Sequence, residues 1–334
     1  MRAAARIVAV LVLALAMASL LNARSLRKMA EIQSPGTQRT VSIWFSSRLV
    51  SASSFLHLDR PRQELKNAIG RGGDDVVDTR VALPPPPAST TPAAHPKAHG
   101  PSPTTPKPKP VAREVYTARH PLRVWVAGDS LAEVPGTSLE RLTGTQGPVD
   151  VVQTESRLAT GLTRPDVFNW FTRLPAAVKQ LRPRAAVLSF GADDAHDYIS
   201  GLPAGRTVGP IGSASWGAEY RRRVAGVTRE LNDGGVYVVW LGIPISSSPA
   251  RNVRFRFIDR ILSDVARADP HGATYIDAYS LFARGGQYNA YLRGANGQLV
   301  LMRAADGVHY TTTAGDLVAR TVLVRLGEVF ELRK

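Results

Sequence analysis

From Pro121 to the carboxyl terminus, short apolar runs alternate with longer stretches in which apolar residues recur every three or four positions. The apolar runs predict strands at Leu122–Ala127, Val149–Thr154, Ala185–Phe190, Val236–Leu241 and Ala273–Ile276. The periodic stretches predict helices at Ser130–Thr143, Pro165–Leu181, Ser215–Asn232, Val253–Ala268 and Thr312–Phe330. Strands that read as continuous apolar runs are covered on both faces, so this alternation implies a parallel sheet between two helical layers. The expected fold is α/β, a three-layer α/β/α sandwich on five parallel strands, with ligands gathering where the strands end.

The first 120 residues follow a different pattern. An apolar run, Ile7–Leu21, has Arg2 and Arg6 before it and Arg24, Arg27 and Lys28 after it. It reads as a membrane anchor over residues 1–23, or as a secretory signal cleaved near Ala16-Met17-Ala18. Basic residues on both sides leave orientation open. Residues 24–82 are polar and mixed, a stalk region with one helix-like stretch at Pro61–Gly70. Residues 83–120 are rich in Pro, Ala, Thr, Ser and Lys, a composition that extends as polyproline II and serves as a disordered spacer. Anchor, stalk, spacer and a folded domain at 121–334 form the layout of an enzyme held away from a bacterial membrane on its outer side.

Charge and composition then remove alternatives. The net charge of +15 divides unevenly: residues 1–120 carry 17 Lys+Arg against 7 Asp+Glu, and residues 121–334 carry 25 against 20. The folded part is only mildly basic and has no nucleic-acid motif, so nucleic acid is not an expected partner. With no cysteine there is no disulfide, thiolate nucleophile or sulfur-ligated zinc. The run Asp193-Asp194-Ala195-His196-Asp197 offers metal-binding side chains, but adjacent loop residues rarely converge on one ion, and a solvated loop is the expected reading. No cofactor is expected.

Two motifs carry chemistry. The first strand runs into Gly128-Asp129-Ser130, which puts a serine at a strand end and a helix start, where free amides favour a developing anion. By itself the triplet is also an ordinary turn with a helix cap. Asp306-Gly307-Val308-His309 precedes the last predicted helix. A hydroxyl needs a base within hydrogen-bonding reach, and that base needs an orienting partner. Asp306 and His309 can supply both; the alternative is a solvated turn before a helix capped by threonine. Arg303 is placed to reach a substrate oxygen or to lie on the surface. The stretch Gly285–Gln298, with Tyr288, Asn289 and Tyr291, reads as a loop over the site, suited to sugars or simply a connection. Trp216 and Tyr220 are expected to face the core, and Trp240 and Pro244 to line the pocket or pack beneath it.

These motifs resemble the SGNH hydrolase superfamily, the GDSL esterases, over nearly all of residues 122–330. Gly128-Asp129-Ser130 matches its first block and Asp306-Gly307-Val308-His309 its last. Ser156 to Gly161-Leu162 looks like the second block, and Phe190-Gly191-Ala192-Asp193-Asp194 stands where the third has Gly-x-Asn-Asp. The resemblance, strongest to a poorly characterised branch of anchored extracytoplasmic bacterial members, implies a flavodoxin-like sheet and an acyl-serine mechanism. It assigns Ser130 as nucleophile, His309 as base and Asp306 as its orienting acid, with Ser130, Gly161 and the residue at position 193 forming the oxyanion hole. The implied substrate is an acyl ester, chiefly O-acetyl, of a cell-surface glycan. Water as acceptor gives an esterase; a sugar hydroxyl gives an O-acetyltransferase working with a membrane acyltransferase partner. The family's third donor is an asparagine amide, and here Asp193 takes its place. Either Asp193 holds a proton, or another group donates, or the domain binds glycan without turnover.

Overall fold

The computed structural model describes residues 2–31, 33, 36–58, 60–61, 64–65, 77–85, 113–144, 146–294 and 296–333. Two compact units divide them: residues 1–81, 163–169 and 198–206 form one, and the remainder the other. In the second unit a short strand β1 (Val115–Tyr116) precedes β2 (Leu122–Gly128), in which every residue except Arg123 is buried. A single 3-10 turn (Ser130–Ala132) and α4 (Glu133–Thr143) lead to β3 (Val149–Ser156). There follow α5 (Trp170–Leu181), β4 (Ala185–Ser189), α6 (Ala214–Asp233), β5 (Tyr237–Leu241), α7 (Pro249–Ala268) and β6 (Ala273–Ile276). The five long strands form one sheet in the order β3-β2-β4-β5-β6, and every pairing is parallel.

That order places the first long strand inside the sheet, with the second on one side and the third on the other. The chain reverses direction of travel across β2, and sheets of this kind take their ligands at the strand ends beside that reversal. All five strands lie within one or two residues of their predicted positions. Helix starts follow their caps: Ser213 accepts from the Trp216 amide at 3.3 Å, and Ser248, followed by Pro249, accepts from the Arg251 amide at 3.3 Å. The helix expected from Pro165 begins only at Trp170. Residues 163–169 instead belong to the other unit, where Arg164 pairs with Asp166 at 2.9 Å and Ser200 bonds to the same carboxylate.

After β6, the short helix α8 (Ala278–Phe282) leads into two hairpins, β7 (Ala283–Arg284) with β8 (Gln287–Tyr288) and β9 (Tyr291–Arg293) with β10 (Leu299–Leu301). The stretch expected to be an open loop is thus partly paired backbone. The last helix, α9 (Thr312–Val329), ends in β11 (Glu331–Leu332), which pairs in parallel with β1.

The first unit contains α1 (Arg2–Leu21), α2 (Ala23–Glu31) and α3 (Thr37–Phe55). Arg27 of α2 ties to α3 through the Ile43 carbonyl at 3.1 Å. The stalk region therefore contains a 19-residue helix that its weak apolar periodicity did not predict. Most of the helix expected at Pro61–Gly70, and of the Pro-rich spacer, lies outside the described residues. Among the described residues no single helix is long and apolar enough to cross a membrane; α1 and α2 meet that test only as a pair bent by 70°.

Candidate active site

The close approach of β2 to β4 sets the geometry around Ser130. A Cβ on Gly128 would stand 1.9 Å from the Ser189 carbonyl oxygen, so only glycine lets the chain turn here. Asp129 then donates its amide to Ser189 at 2.9 Å and accepts from the Leu131 amide at 2.9 Å, capping the turn that Ser130 opens. Ser130 is half-buried at the carboxyl end of β2, among leading amides that have no helical acceptor.

The loop before α9 brings the second group. His309 Nε2 lies 2.8 Å from Ser130 Oγ, and His309 Nδ1 lies 2.6 Å from Asp306 Oδ2. Asp306 Oδ1 also accepts from the Val308 and His309 amides at 2.8 and 3.0 Å. Partial burial opposes ionisation of Asp306, yet the His309 ring and these two amides hold its carboxyl at about 2. Gly307 at φ +70° makes the turn, and a side chain there would strike Ser247. The hydrogen bonds give the base one orientation: Nδ1–H donates to Asp306, and Nε2 faces the serine hydroxyl.

Carboxyl groups dominate the opposite wall. Asp129 is fully buried, and burial together with the charges of Asp193 and Asp194 pushes its carboxyl well above the ordinary range. Its Oδ2 accepts from the Ala192 amide at 3.2 Å. Burial and the neighbouring Asp194 also raise Asp193, against the pull of the Ala159 amide, His309 and Arg251. Asp193 Oδ2 is buried without a hydrogen-bond partner among the described residues. Asp194 turns inward, where its Oδ2 accepts from the Leu162 amide at 3.1 Å and the Tyr220 hydroxyl at 2.9 Å.

Gly161 serves this inward carboxylate. A Cβ there would stand 2.1 Å from Asp194 Oδ1, so the glycine makes room for a structural group. Arg223, fully buried and paired with Glu219 at 2.7 Å, fixes the next residue by donating to the Leu162 carbonyl at 2.6 Å. The amide that bears on Asp193 belongs to Ala159, an exposed residue at φ +55°.

Residues 123–325 match a family described as "Protein of unknown function (DUF459)". The chain belongs to the DUF459 family. The order of motifs along the domain is the one that resembles the SGNH hydrolases. No curated protein matches the chain. Among solved structures, the lipase/acylhydrolase from Enterococcus faecalis is similar at 16% identity and a TM-score of 0.43, covering 63% of this chain and 97% of its own. TesA is similar at 19% identity and 0.41, covering 62% and 99%, and the psychrotrophic esterase EstA from Pseudoalteromonas sp. at 11% and 0.38, covering 62% and 97%.

Arg303 of the DUF459 domain is not a surface residue. It is 1% exposed, lies between the rings of Phe282 and Tyr310 at 5.6 and 5.1 Å, and donates through Nη2 to the Val308 carbonyl. The guanidinium therefore ties down the loop that carries Asp306 and His309. Three residues of separation from Asp306 do not show which side of a loop faces the core. The Tyr288 hydroxyl comes within 3.4 Å of where a Cβ on Gly307 would sit, beside the same loop. Trp216 and Tyr220 stack in the core at 4.9 Å. Trp240 is fully buried and donates to Thr228 at 3.1 Å, so it packs beneath the site. The 193–197 run diverges: Asp194 faces inward, while Asp197 accepts from the Ile211 amide at 3.1 Å. Among the described residues no group of three or more His, Asp or Glu is arranged to hold a metal.

Proposed function

We propose that the DUF459 domain is a serine esterase that forms an acyl-enzyme on Ser130. The observation that carries this reading is the continuous chain of contacts from Ser130 Oγ through His309, at 2.8 Å, to Asp306, at 2.6 Å. Ser130 Oγ bonds to the ester carbonyl carbon while its proton passes to His309 Nε2, and the carbonyl electron pair moves onto oxygen. Asp306 stabilises the imidazolium and remains ionised. When the tetrahedral adduct collapses, the imidazolium protonates the departing alcohol oxygen. Water, deprotonated by His309, then attacks the acyl-serine, releases the acid and restores the hydroxyl.

The developing oxyanion is assigned to the amides of Ser130 and Gly161 and to the Asp193 carboxyl in its protonated form. A carboxylate has no donor, whereas a carboxylic acid has one O–H. Burial beside Asp194 favours the acid form. The substrate follows from the layout: an apolar α1 and a Pro-rich segment before the domain suit an enzyme anchored in a bacterial membrane, or released by signal cleavage, that acts outside the cytoplasm on O-acetyl esters of a surface glycan. A sugar hydroxyl replacing water would make the same acyl-enzyme an O-acetyltransferase, supplied by a membrane acyltransferase.

The Ala159 amide, His309 and Arg251, which all draw Asp193 towards the ionised form, favour a second reading, in which an ionised Asp193 leaves a glycan-binding domain without turnover. Hydrolysis of a small acetyl ester by the full chain separates the two. The esterase reading expects turnover that Ser130→Ala abolishes. Wild-type turnover no greater than that of Ser130→Ala, with glycan binding intact in both, establishes the binding domain instead.

A further inference from the structure

Away from Ser130, a cleft of about 160 Å³ opens between α7, β6 and the first turn of α8. Arg256, Arg260 and Arg267 line it from α7, at spacings of four and seven that put all three on one helix face. Arg267 pairs with Asp264 at 2.8 Å. Arg256 and Arg260 form no ion pair among the described residues. Each instead rests its guanidinium on an aromatic ring, Arg256 on Tyr279 at 4.9 Å and Arg260 on Phe257 at 5.8 Å. Stacking orients a guanidinium by its face and leaves the N–H donors at its edge available.

The floor of the cleft supplies a second, independent observation. Asp259 lines it, is 7% exposed, and accepts the Ile243 amide on Oδ1 at 2.8 Å, while its Oδ2 is buried beside the Tyr275 hydroxyl. Burial holds this carboxyl up at about 7. Its other neighbours are Arg256 and Arg260 on its own helix, Asp277 before α8, and Tyr220 and Tyr310 across the core. Asp277 is engaged in its own turn, accepting the Ser280 amide at 3.0 Å and hydroxyl at 2.6 Å. A solvated arginine stripe does not account for a buried acid at its base. Two free cations above one acid proton suit a compact oxyanion.

We infer that this cleft binds a tetrahedral oxyanion of the phosphate or sulfate type, held by Arg256 and Arg260 and seated on Asp259. The anion would come from a phospholipid headgroup or from a soluble phosphate ester. The inference does not depend on the chemistry at Ser130.

Titration calorimetry of the full chain with sulfate, against chloride at matched ionic strength, is the test, because sulfate keeps its charge where Asp259 titrates. Saturable heat is expected, unchanged in Ser130→Ala. The double variant Arg256→Ala/Arg260→Ala should bind about tenfold to a hundredfold more weakly, a loss of about 1.4–2.7 kcal/mol. Its ester hydrolysis and circular dichroism should match wild type, which separates lost binding from lost folding. Wild-type affinity should fall as pH rises through the titration of Asp259, and Asp259→Asn, a donor at every pH, should remove that dependence. No saturable heat in wild type, or equal affinity in the double variant, overturns the inference. Competition identifies the source: displacement of sulfate by phosphatidylglycerol vesicles but not phosphatidylcholine points to a headgroup, and displacement by a sugar phosphate to a soluble ester. Failure of both to displace it rules out the phosphate class.

Discussion

The loop from Asp306 to His309 and the loop from Gly191 to Asp194 meet at one serine and treat their carboxyl groups in opposite ways. Asp306 is about half exposed, and the His309 ring with two backbone amides keeps it ionised, at about 2. Asp129 and Asp193 crowd together with Asp194, and burial pushes both towards the protonated form. The first loop uses a fixed negative charge to make a base. The second has a carboxyl that is useful to an oxyanion only while it holds its proton. Activating the nucleophile and stabilising the adduct therefore place different demands on pH within one site.

The largest expected effect breaks the first loop. Asp306→Asn offers an amide where His309 needs an anion, and kcat for a small acetyl ester should fall by about 10⁴. A fall of less than about tenfold would remove this loop from the chemistry. The second loop sharpens the comparison in the opposite direction. Asp193 loses its donor as pH rises through its elevated titration, so wild-type kcat/KM should decline there. Asp193→Asn donates at every pH and should exceed wild type by about 10²–10³ on the alkaline side, the usual value of one such donor. Coincident pH profiles would show that Asp193 is not a donor.

Smaller effects concern the supports of the two loops. Arg303→Lys retains the charge but loses the fork that reaches Val308, and kcat should fall by about tenfold to a hundredfold with KM nearly unchanged. Arg303→Met should fall further, with partial rescue by added guanidinium, which a purely packing role would not give. Asp259 on α7 has a folded pKa near 7, above an unfolded value of about 3.9. Between those values the native state binds more protons than the unfolded chain, so stability falls as pH rises. Asp259→Asn should stabilise the protein at about pH 8 by up to about 4 kcal/mol and have little effect at about pH 4, measured by urea unfolding.

The sheet was legible because strands buried on both faces, such as β2 and β4, read as unbroken apolar runs. Ser130, Asp306 and His309 were legible because a strand end and a helix start mark their places along the chain. Three features left no such trace. The space that Gly161 leaves for the inward-turned Asp194 is a contact across 33 positions. Ala159 adopts a positive φ without being glycine. Arg303 looks like any arginine near a motif, and only the packing of Phe282 and Tyr310 around it assigns it to the core. The α3 helix escaped notice because polar residues are spread around its whole circumference.

Labelling the full chain with a serine-directed fluorophosphonate, followed by mass spectrometry of the modified peptide, tests the central claim most directly. The reagent attached at Ser130, with labelling lost in His309→Ala, is the predicted result. An unlabelled Ser130 in the folded wild-type protein, under conditions that label a known serine esterase, would contradict it.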